Sequence, residues 1–591
     1  MSGGRTGSTA AMADEGLKSN ERRGLCGICS AGCGVVITYD ERGRMAAVRA
    51  DEGSPFGMIC KVGECSPEIV YSKDRILYPM KRSGPKGGLE FSRISWDEAY
   101  GEIVDRLGRI KEESGPEAAA IYTGSGSFER AMCDVFQPAG AAVSSASSVL
   151  FPYGSPNTLG VGALCYVAFA MIAPHVTMGR MYIDMFADIE NAGLIVVWGK
   201  NPAAHCPPDD FIRIQAAHKR GAKIVVIDPR KTAIAKYPGA EWIPVRPGTD
   251  GALALGLCNV LIEEELYDEA FARDWTAGFE EFSQYVRHFR PDYVEGITGV
   301  PADTIRSLAA RMAKTSGAAP VMYSGLEYNG NGVQTIRAVM TLWALAGQLD
   351  VPGGQCFKMN RSKFPINRRG LISNPDSCKA AGHNDFPLYT KYRGEFHAIA
   401  LPKAVIEKDP YHIRMLISLG ASIITSWPQS VAWRKTLGGL DYLVCIDRQM
   451  TADMAYADIV LPASTYYENK SYMVYDSVFK IRERMVEPVG ESRSDFFILA
   501  ELARRLGYGH LYPQDEEELL SYALEGSGFT LKEVRDAGGM VQIPHEMMQY
   551  KKWEKGKLRE DGKPGFDTPS GKFEISSGVL EEYGYDPLPR Y

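Results

Sequence analysis

Six short apolar runs constrain this chain more than any other feature. They are LIVVW (194–198), KIVVID (223–228), VMYSG (321–325), RMLISLG (414–420), YLVCI (442–446) and DIVLP (458–462). Strands this continuously apolar are buried on both faces, as in a parallel sheet covered by helices on each side. The connecting segments agree. FIRIQAAHKRG follows the first run, ALALGLCNVLIEEEL follows WIPV and the loop RPGTDGA, and GVQTIRAVMTLWALAGQL follows the third. The alternation predicts an α/β chain with two doubly wound parallel-sheet domains, each offering a nucleotide-sized crevice outside the carboxyl ends of its strands. Neither set contains G-x-G-x-x-G, and no P-loop is present, which argues against a nicotinamide dinucleotide or a P-loop nucleotide. At 591 residues, 45% of them hydrophobic, the chain is long enough for several buried cores.

Four cysteines add chemistry to that frame. Cys26, Cys29, Cys33 and Cys60 follow the spacing C-x2-C-x3-C, with the fourth after 26 intervening residues. Three thiolates so close can hold one face of a cubane, and the distant one completes an all-thiolate shell for a [4Fe-4S] cluster. Zinc is the alternative, although its all-cysteine sites usually pair two C-x2-C units. The other eight cysteines, Cys165 among them, form no second cluster motif, so a longer electron relay is expected on another chain. Twelve cysteines in all are too sparse for a disulfide scaffold and fit a reducing compartment. The first 24 residues lack an apolar signal region, and no stretch reaches the roughly 18 to 20 apolar residues of a membrane span. The expectation is a cytoplasmic protein without direct membrane insertion. A formal charge of −7 with scattered Lys and Arg leaves no basic stripe for a nucleic acid.

Smaller signals place individual elements. Ser95 before WDEA, with Glu98 three residues on, predicts a capped helix start. Residues 140–182 are rich in Ala, Gly, Ser, Val and Met and read as a buried segment carrying Cys165. Residues 356–400 are polar and Pro-containing, with no assigned element beyond a surface or funnel loop.

Read in order, these segments resemble the molybdopterin oxidoreductases of the dimethyl-sulfoxide-reductase type. The likeness runs through C-x2-C-x3-C…C, YSKDRILYPMKR, ISWDEA, GSPN (154–157), WGKNP (198–202), VVIDPR (225–230), RPGTDGALALG (246–256), GLEYNGNGVQTIRA (325–338), LAGQLDVPGG (345–354), MTADMAYADIVLPASTYYE (450–468) and TPSGKFEI (568–575). The resemblance implies molybdenum or tungsten on two molybdopterin guanine dinucleotides, with a [4Fe-4S] cluster in a small N-terminal domain. It implies a disordered start (1–20), an iron–sulfur domain (21–80), one α/β domain from 81–150 and 355–545, another from 151–354, and a C-terminal extension (546–591). The expected activity is two-electron chemistry on a small molecule at the metal, with electrons passed through pterin and cluster to an iron–sulfur subunit. A non-redox hydratase or transhydroxylase of the same fold is the alternative. A metal-free electron-transfer subunit, like the large cluster-bearing subunit of respiratory complex I, is a further one.

The site residues implied are then specific. Cys165 is the candidate metal ligand, in the segment after the GSPN loop, since a thiolate suits a high-valent metal already held by sulfur. Gly199, Asn201, Asp228, Arg230, Gly248, Thr249 and Asp250 are candidates for the first dinucleotide: carboxylates suit the guanine donors, Arg the phosphates, and a helix start offers backbone N–H groups. Gly325, Gly420, Ser422, Asp447 and Asp458 are their counterparts for the second. His175 and His205 are candidate proton carriers. Three departures from the family pattern stand out. Lys61, the candidate bridge between cluster and pterin, directly follows Cys60, one position early. Tyr166, not His, follows Cys165, which argues against formate as substrate. The chain ends at DPLPRY, where the family continues into a closing domain, so a separate small β-rich subunit is expected to supply it.

Overall fold

The structure is a computed structural model that describes residues 16–29, 31–54, 57–127, 130–136, 147–204, 210–359, 372, 375–475, 478–544 and 546–591. Two compact units divide the chain: Met1–Ala163 with Arg361–His545, and Leu164–Asn360 with Glu546–Tyr591. Their boundaries fall near 163, 360 and 545, where the sequence reading draws lines at 150, 354 and 545.

The first unit is built on a seven-stranded sheet in the order Phe91–Arg93, Met80–Arg82, Ile459–Pro462, Tyr442–Asp447, Met415–Leu419, Ala119–Thr123, Thr158–Gly160. The last five are parallel, and the first two add an antiparallel edge. Strand Ala119–Thr123 comes first in sequence among the parallel five. Thr158–Gly160 lies on one side of it and Met415–Leu419 on the other, so the winding reverses between the Ala119 and Met415 strands. Every residue of both strands is buried, in keeping with their mainly apolar sequences. Helix Trp96–Ser114 covers this sheet and starts with the expected reciprocal capping of Ser95 and Glu98.

An antiparallel trio, Glu21–Leu25, Gly34–Tyr39 and Met45–Ala50, carries the cysteine motif on its first hairpin. A second trio, Ser471–Tyr475, Val478–Arg482 and Met540–Gln542, belongs to the same unit. Arg75 and Glu468 form a fully buried ion pair there at 3.1 Å.

The second unit holds a four-stranded parallel sheet, ordered Ala240–Ile243, Lys223–Ile227, Leu194–Trp198, Ala318–Met322. Here too the first strand in sequence, Leu194–Trp198, has neighbours on both sides, so the winding reverses between it and Ala318–Met322. That last strand begins three residues before the VMYSG run. It accommodates Pro320 because it is the sheet's edge, where a missing N–H costs no ladder bond. Helix Gly332–Leu345 and most of helix Asp250–Glu263 are mainly apolar and nearly entirely buried, the buried Arg337 being held by Thr177, Gln334 and backbone carbonyls. The C-terminal stretch pairs Phe573–Glu574 with Thr276–Ala277 and sends Lys552 into a buried ion pair with Asp350 at 2.8 Å. Among the described residues no helix is long and apolar enough to cross a membrane.

Candidate cofactor and metal site

Glycine packs on glycine at both reversal points. In the second unit Gly199 ends the Leu194 strand with φ +62°. A Cβ on Gly325, past the neighbouring strand, would lie 2.5 Å from the Gly199 carbonyl oxygen and 2.6 Å from its Cα. The Gly325 N–H donates to that carbonyl at 2.9 Å, so Gly325, expected with the second dinucleotide set, lies instead at the same reversal point as Gly199 of the first. In the first unit Gly420 takes φ +57° after the Met415 strand, and a Cβ on Gly124 would lie 2.1 Å from the Gly420 carbonyl oxygen. Gly126 donates to the same carbonyl at 3.0 Å. Gly124 and Gly126 were not among the sequence candidates; the run GSGS reads as an ordinary loop until its partner, about 300 residues away, is known. Each reversal point is the place where an open parallel sheet leaves a ligand crevice.

One carboxylate follows the adjacent strand in each unit. Asp228 Oδ1 accepts from the Arg230 N–H at 2.8 Å, and Asp447 Oδ1 accepts from the Arg448 N–H at 2.7 Å. One oxygen shapes the turn, and a carboxylate has further acceptor sites for a ligand donor. Burial raises the Asp447 carboxyl above its usual range. Asn201, two residues beyond Gly199, has a buried Oδ1 with no hydrogen-bond partner among the described residues, which fits a donor supplied by a bound group. Arg230 is exposed and Gly248, at φ +80°, faces open space.

Other candidates are engaged in the fold. Thr249 precedes helix Asp250–Glu263, and its hydroxyl donates to the Arg246 carbonyl at 2.7 Å. Asp250 accepts from the Trp198 indole at 2.8 Å, and burial raises its carboxyl. Ser422 stands at the N-cap position of a one-turn helix, and its hydroxyl donates to the Thr425 hydroxyl instead of capping the backbone. Asp458 is not brought to the crevice edge at all. It precedes its strand, so it lies at the amino end of the sheet, where it accepts from the Leu443 N–H at 2.8 Å and pairs with Lys86 at 3.1 Å. Asp453, which sequence reasoning missed, is buried and accepts from the N–H groups of Ile423 and Ile424 just past Gly420; burial raises it to about 6.

Cys165 is half-buried, immediately before a π-helical turn, Val167–Ile172, a geometry frequent at functional sites. Tyr323, past the edge strand of the second unit, places its hydroxyl 4.0 Å from Cys165 Sγ. The Tyr328 hydroxyl donates to the Cys165 carbonyl at 3.3 Å. Burial raises the Cys165 thiol, and the neighbouring Glu327 charge adds to the effect. Glu327 is itself buried: Oε1 accepts from the Ala168 and Phe169 N–H groups at 2.9 and 3.4 Å, while Oε2 has no partner among the described residues. Burial raises its carboxyl to about 7. His175 is held by Nδ1 at 2.8 Å from the Met171 carbonyl, and burial lowers its pKa, keeping the ring neutral. His205 lies outside the described residues.

The cysteine hairpin closes with the Cys26 N–H donating to the Cys33 carbonyl at 2.9 Å. Cys26 and Cys33 are buried, Cys60 is half-buried at the start of helix Lys61–Glu64, and Cys29 is exposed. Burial pushes Cys26 up to about 12 and Cys33 to about 11, and the other motif thiols add to both, so the four are electrostatic neighbours. Among the described residues no three His, Cys, Asp or Glu side chains converge to chelate a single ion. Lys61 does not turn inward. Its side chain is 85% exposed and pairs with Glu64 at 3.0 Å. Lys480 is instead fully buried against the hairpin, donating to the carbonyls of Ala31 and Gly32.

The chain as a whole is similar to known proteins. A family model described as molybdopterin oxidoreductase matches residues 75–505. Acetylene hydratase of Syntrophotalea acetylenica is 30% identical over 97% of this chain and 79% of its own. The thiosulfate reductase molybdopterin-containing subunit of Salmonella typhimurium is 30% identical over 96% and 76%. Formate dehydrogenase H of Escherichia coli is 28% identical over 88% and 73%. The solved structure of acetylene hydratase from Pelobacter acetylenicus matches with a TM-score of 0.82 at 27% identity, covering 96% of this chain and 79% of that one. The chain belongs to the molybdopterin oxidoreductase family, as an enzyme of the dimethyl-sulfoxide-reductase type.

Proposed function

We propose that this chain is the catalytic subunit of a molybdenum- or tungsten-dependent oxidoreductase that passes electrons between a small substrate and an iron–sulfur partner chain. The observation that carries the reading is the repeated crevice: a glycine-closed reversal point followed by a turn-forming carboxylate, once in each unit. Two such crevices suit two guanine dinucleotides, with Asp228 and Asp447 accepting from guanine or ribose donors and Asn201 Oδ1 from a further one. When bound, the metal–pterin group supplies two-electron chemistry with oxygen-atom or hydrogen transfer.

The residues around Cys165 define what the chain contributes. Its desolvated thiol loses its proton readily only beside a cation, so it suits a metal ligand better than a free nucleophile. Glu327 can hold or release a proton at Oε2 near neutral pH, with Oε1 fixed by two backbone donors. Tyr323 keeps its hydroxyl proton, raised by burial and by the Cys165 thiol, and so acts as a donor.

The alternative is a non-redox hydratase, which the likeness to acetylene hydratase favours. Anaerobically purified protein decides between them. Molybdenum or tungsten at one per chain, with turnover of a substrate panel that requires an artificial electron donor or acceptor, supports the redox reading. Turnover without any such mediator supports the hydratase.

A further inference from the structure

Two buried cations from one strand lie against the cysteine hairpin, one of them where only the missing side chain of Gly27 leaves space. Lys480 and Arg482 alternate on strand Val478–Arg482 and so share a face. Lys480 Nζ donates to the Ala31 carbonyl at 3.2 Å and the Gly32 carbonyl at 2.9 Å. A Cβ on Gly32 would lie 3.5 Å from that nitrogen, and a Cβ on Gly27 would lie 2.8 Å from Arg482 Nη1. Arg482 also donates to Asn469 Oδ1, buried beside it. Both cations are at most 3% exposed. Positive charge is thus laid along the loop that carries Cys26, Cys29 and Cys33.

We propose that Lys480 is a positioning residue whose fixed positive charge sets the reduction potential of the cluster held by Cys26, Cys29, Cys33 and Cys60. The inference rests on the iron–sulfur reading above. An all-thiolate [4Fe-4S] cluster is a net anion that gains one more negative charge on reduction, and its potential follows local charge, hydrogen bonding and solvent exposure. A cation within the buried loop favours the reduced form. Burial keeps that effect strong, because charge interactions weaken with the surrounding dielectric. Lys61 lacks this influence, being exposed and paired with Glu64.

The test is an anaerobic redox titration of the holoenzyme, followed by the paramagnetic signal of the reduced cluster, with iron content measured alongside. Lys480→Gln removes the charge and keeps a donor for the two carbonyls; Lys480→Arg keeps the charge; Lys61→Gln is the exposed control. Lys480→Gln should lower the reduced-to-oxidised ratio at fixed potential at least tenfold, a 59 mV negative shift for one electron. Lys480→Arg and Lys61→Gln should stay within threefold of wild type. Iron loss in Lys480→Gln alone, with Lys480→Arg intact, also supports a charge requirement. Full iron and an unshifted potential in Lys480→Gln overturn the proposal, as does equal iron loss in the Gln and Arg variants, which would mark a mechanical tether. A wild-type protein without the signal or about four irons defeats the cluster reading itself, a separate outcome.

Discussion

Replacing Gly325 by Ala tests whether the reversal point in the second unit is closed by backbone contact. Gly325 does not have a positive φ, so the substitution carries no left-handed strain. Its cost is steric alone. The new Cβ would lie 2.5 Å from the Gly199 carbonyl oxygen, about 0.9 Å inside an ordinary 3.4 Å contact, and the next two atoms in its way are also backbone. No side chain can rotate aside, which puts the cost at the upper end of overpacking, about 3 kcal/mol. Gly199→Ala adds left-handed strain of about 1–2 kcal/mol to a softer contact at 3.0 Å. Gly221→Ala is the control for strain alone, since its φ is +109° and nothing lies within 4 Å.

For a unit of this size about 1 kcal/mol moves the melting midpoint by about 2–4 °C. Scanning calorimetry of the holoenzymes should therefore place Gly325→Ala about 6–12 °C below wild type. Pterin released from each variant, read by fluorescence, should fall in Gly325→Ala and Gly199→Ala and hold in Gly221→Ala. A Gly325→Ala protein that melts within a degree of wild type with full pterin would refute the reasoning.

Other outcomes can be checked in parallel. Wild-type protein purified without oxygen should show broad brown absorbance and about four irons per chain, lost in Cys29→Ala; stoichiometric zinc would sink the assignment. Cys165→Ala should keep its iron and lose nearly all turnover, with Cys165→Ser retaining an oxygen ligand; wild-type turnover in the Ala variant would move the metal ligand elsewhere. Lys552→Met strands the buried Asp350 carboxylate and should cost about 3–5 kcal/mol in a urea titration, and an unmoved midpoint would show the pair to be dispensable. Glu327 binds its proton up to about pH 7 when folded but only to about 4.5 when unfolded. Stability of the cofactor-free protein should therefore fall as pH rises between those values, and Glu327→Gln should flatten the slope; parallel slopes would contradict it.

Much of this was legible beforehand because burial on both faces leaves a signature in each strand. LIVVW and KIVVI became strands at the expected residues, and the reciprocal cap at Ser95 needed only local sequence. What failed to show lies in contacts between distant segments. Gly124 and Gly126 matter because Gly420 crosses them, and nothing near GSGS announces it. Glu327 lies in the GLEYNGNGVQTIRA motif, but nothing in that motif singles it out; its importance comes from the N–H groups of a π-helical turn that no periodicity predicts. Lys480 reads as one polar residue in VFKIR, a normal solvent-facing position until the cysteine hairpin covers it. Asp458 was misplaced for a different reason. It opens its run and precedes the strand Ile459–Pro462, and in a parallel sheet that alone puts it at the amino end, away from any crevice.

The two units arrive at one solution from unlike sequences. In each, the winding reverses between two parallel neighbours, and the loops that leave the carboxyl ends of those two strands come within backbone distance of each other. Side chains cannot fit between them, which explains why Gly199 meets Gly325 and Gly124 meets Gly420. The next strand then ends in an aspartate whose Oδ1 is spent on its own turn, at Asp228 and again at Asp447. Spending one oxygen on the turn fixes the carboxylate's orientation before any ligand arrives, so little side-chain entropy remains to be lost on binding. Asparagine at either position would keep the turn acceptor but forfeit the charge, and its effect on cofactor retention should be the same in both units if the crevices are equivalent. Unequal retention in Asp228→Asn and Asp447→Asn would show that one crevice binds its ligand through other groups, with Asp250 beside Asp228 and Asp453 beside Asp447 available to take that part.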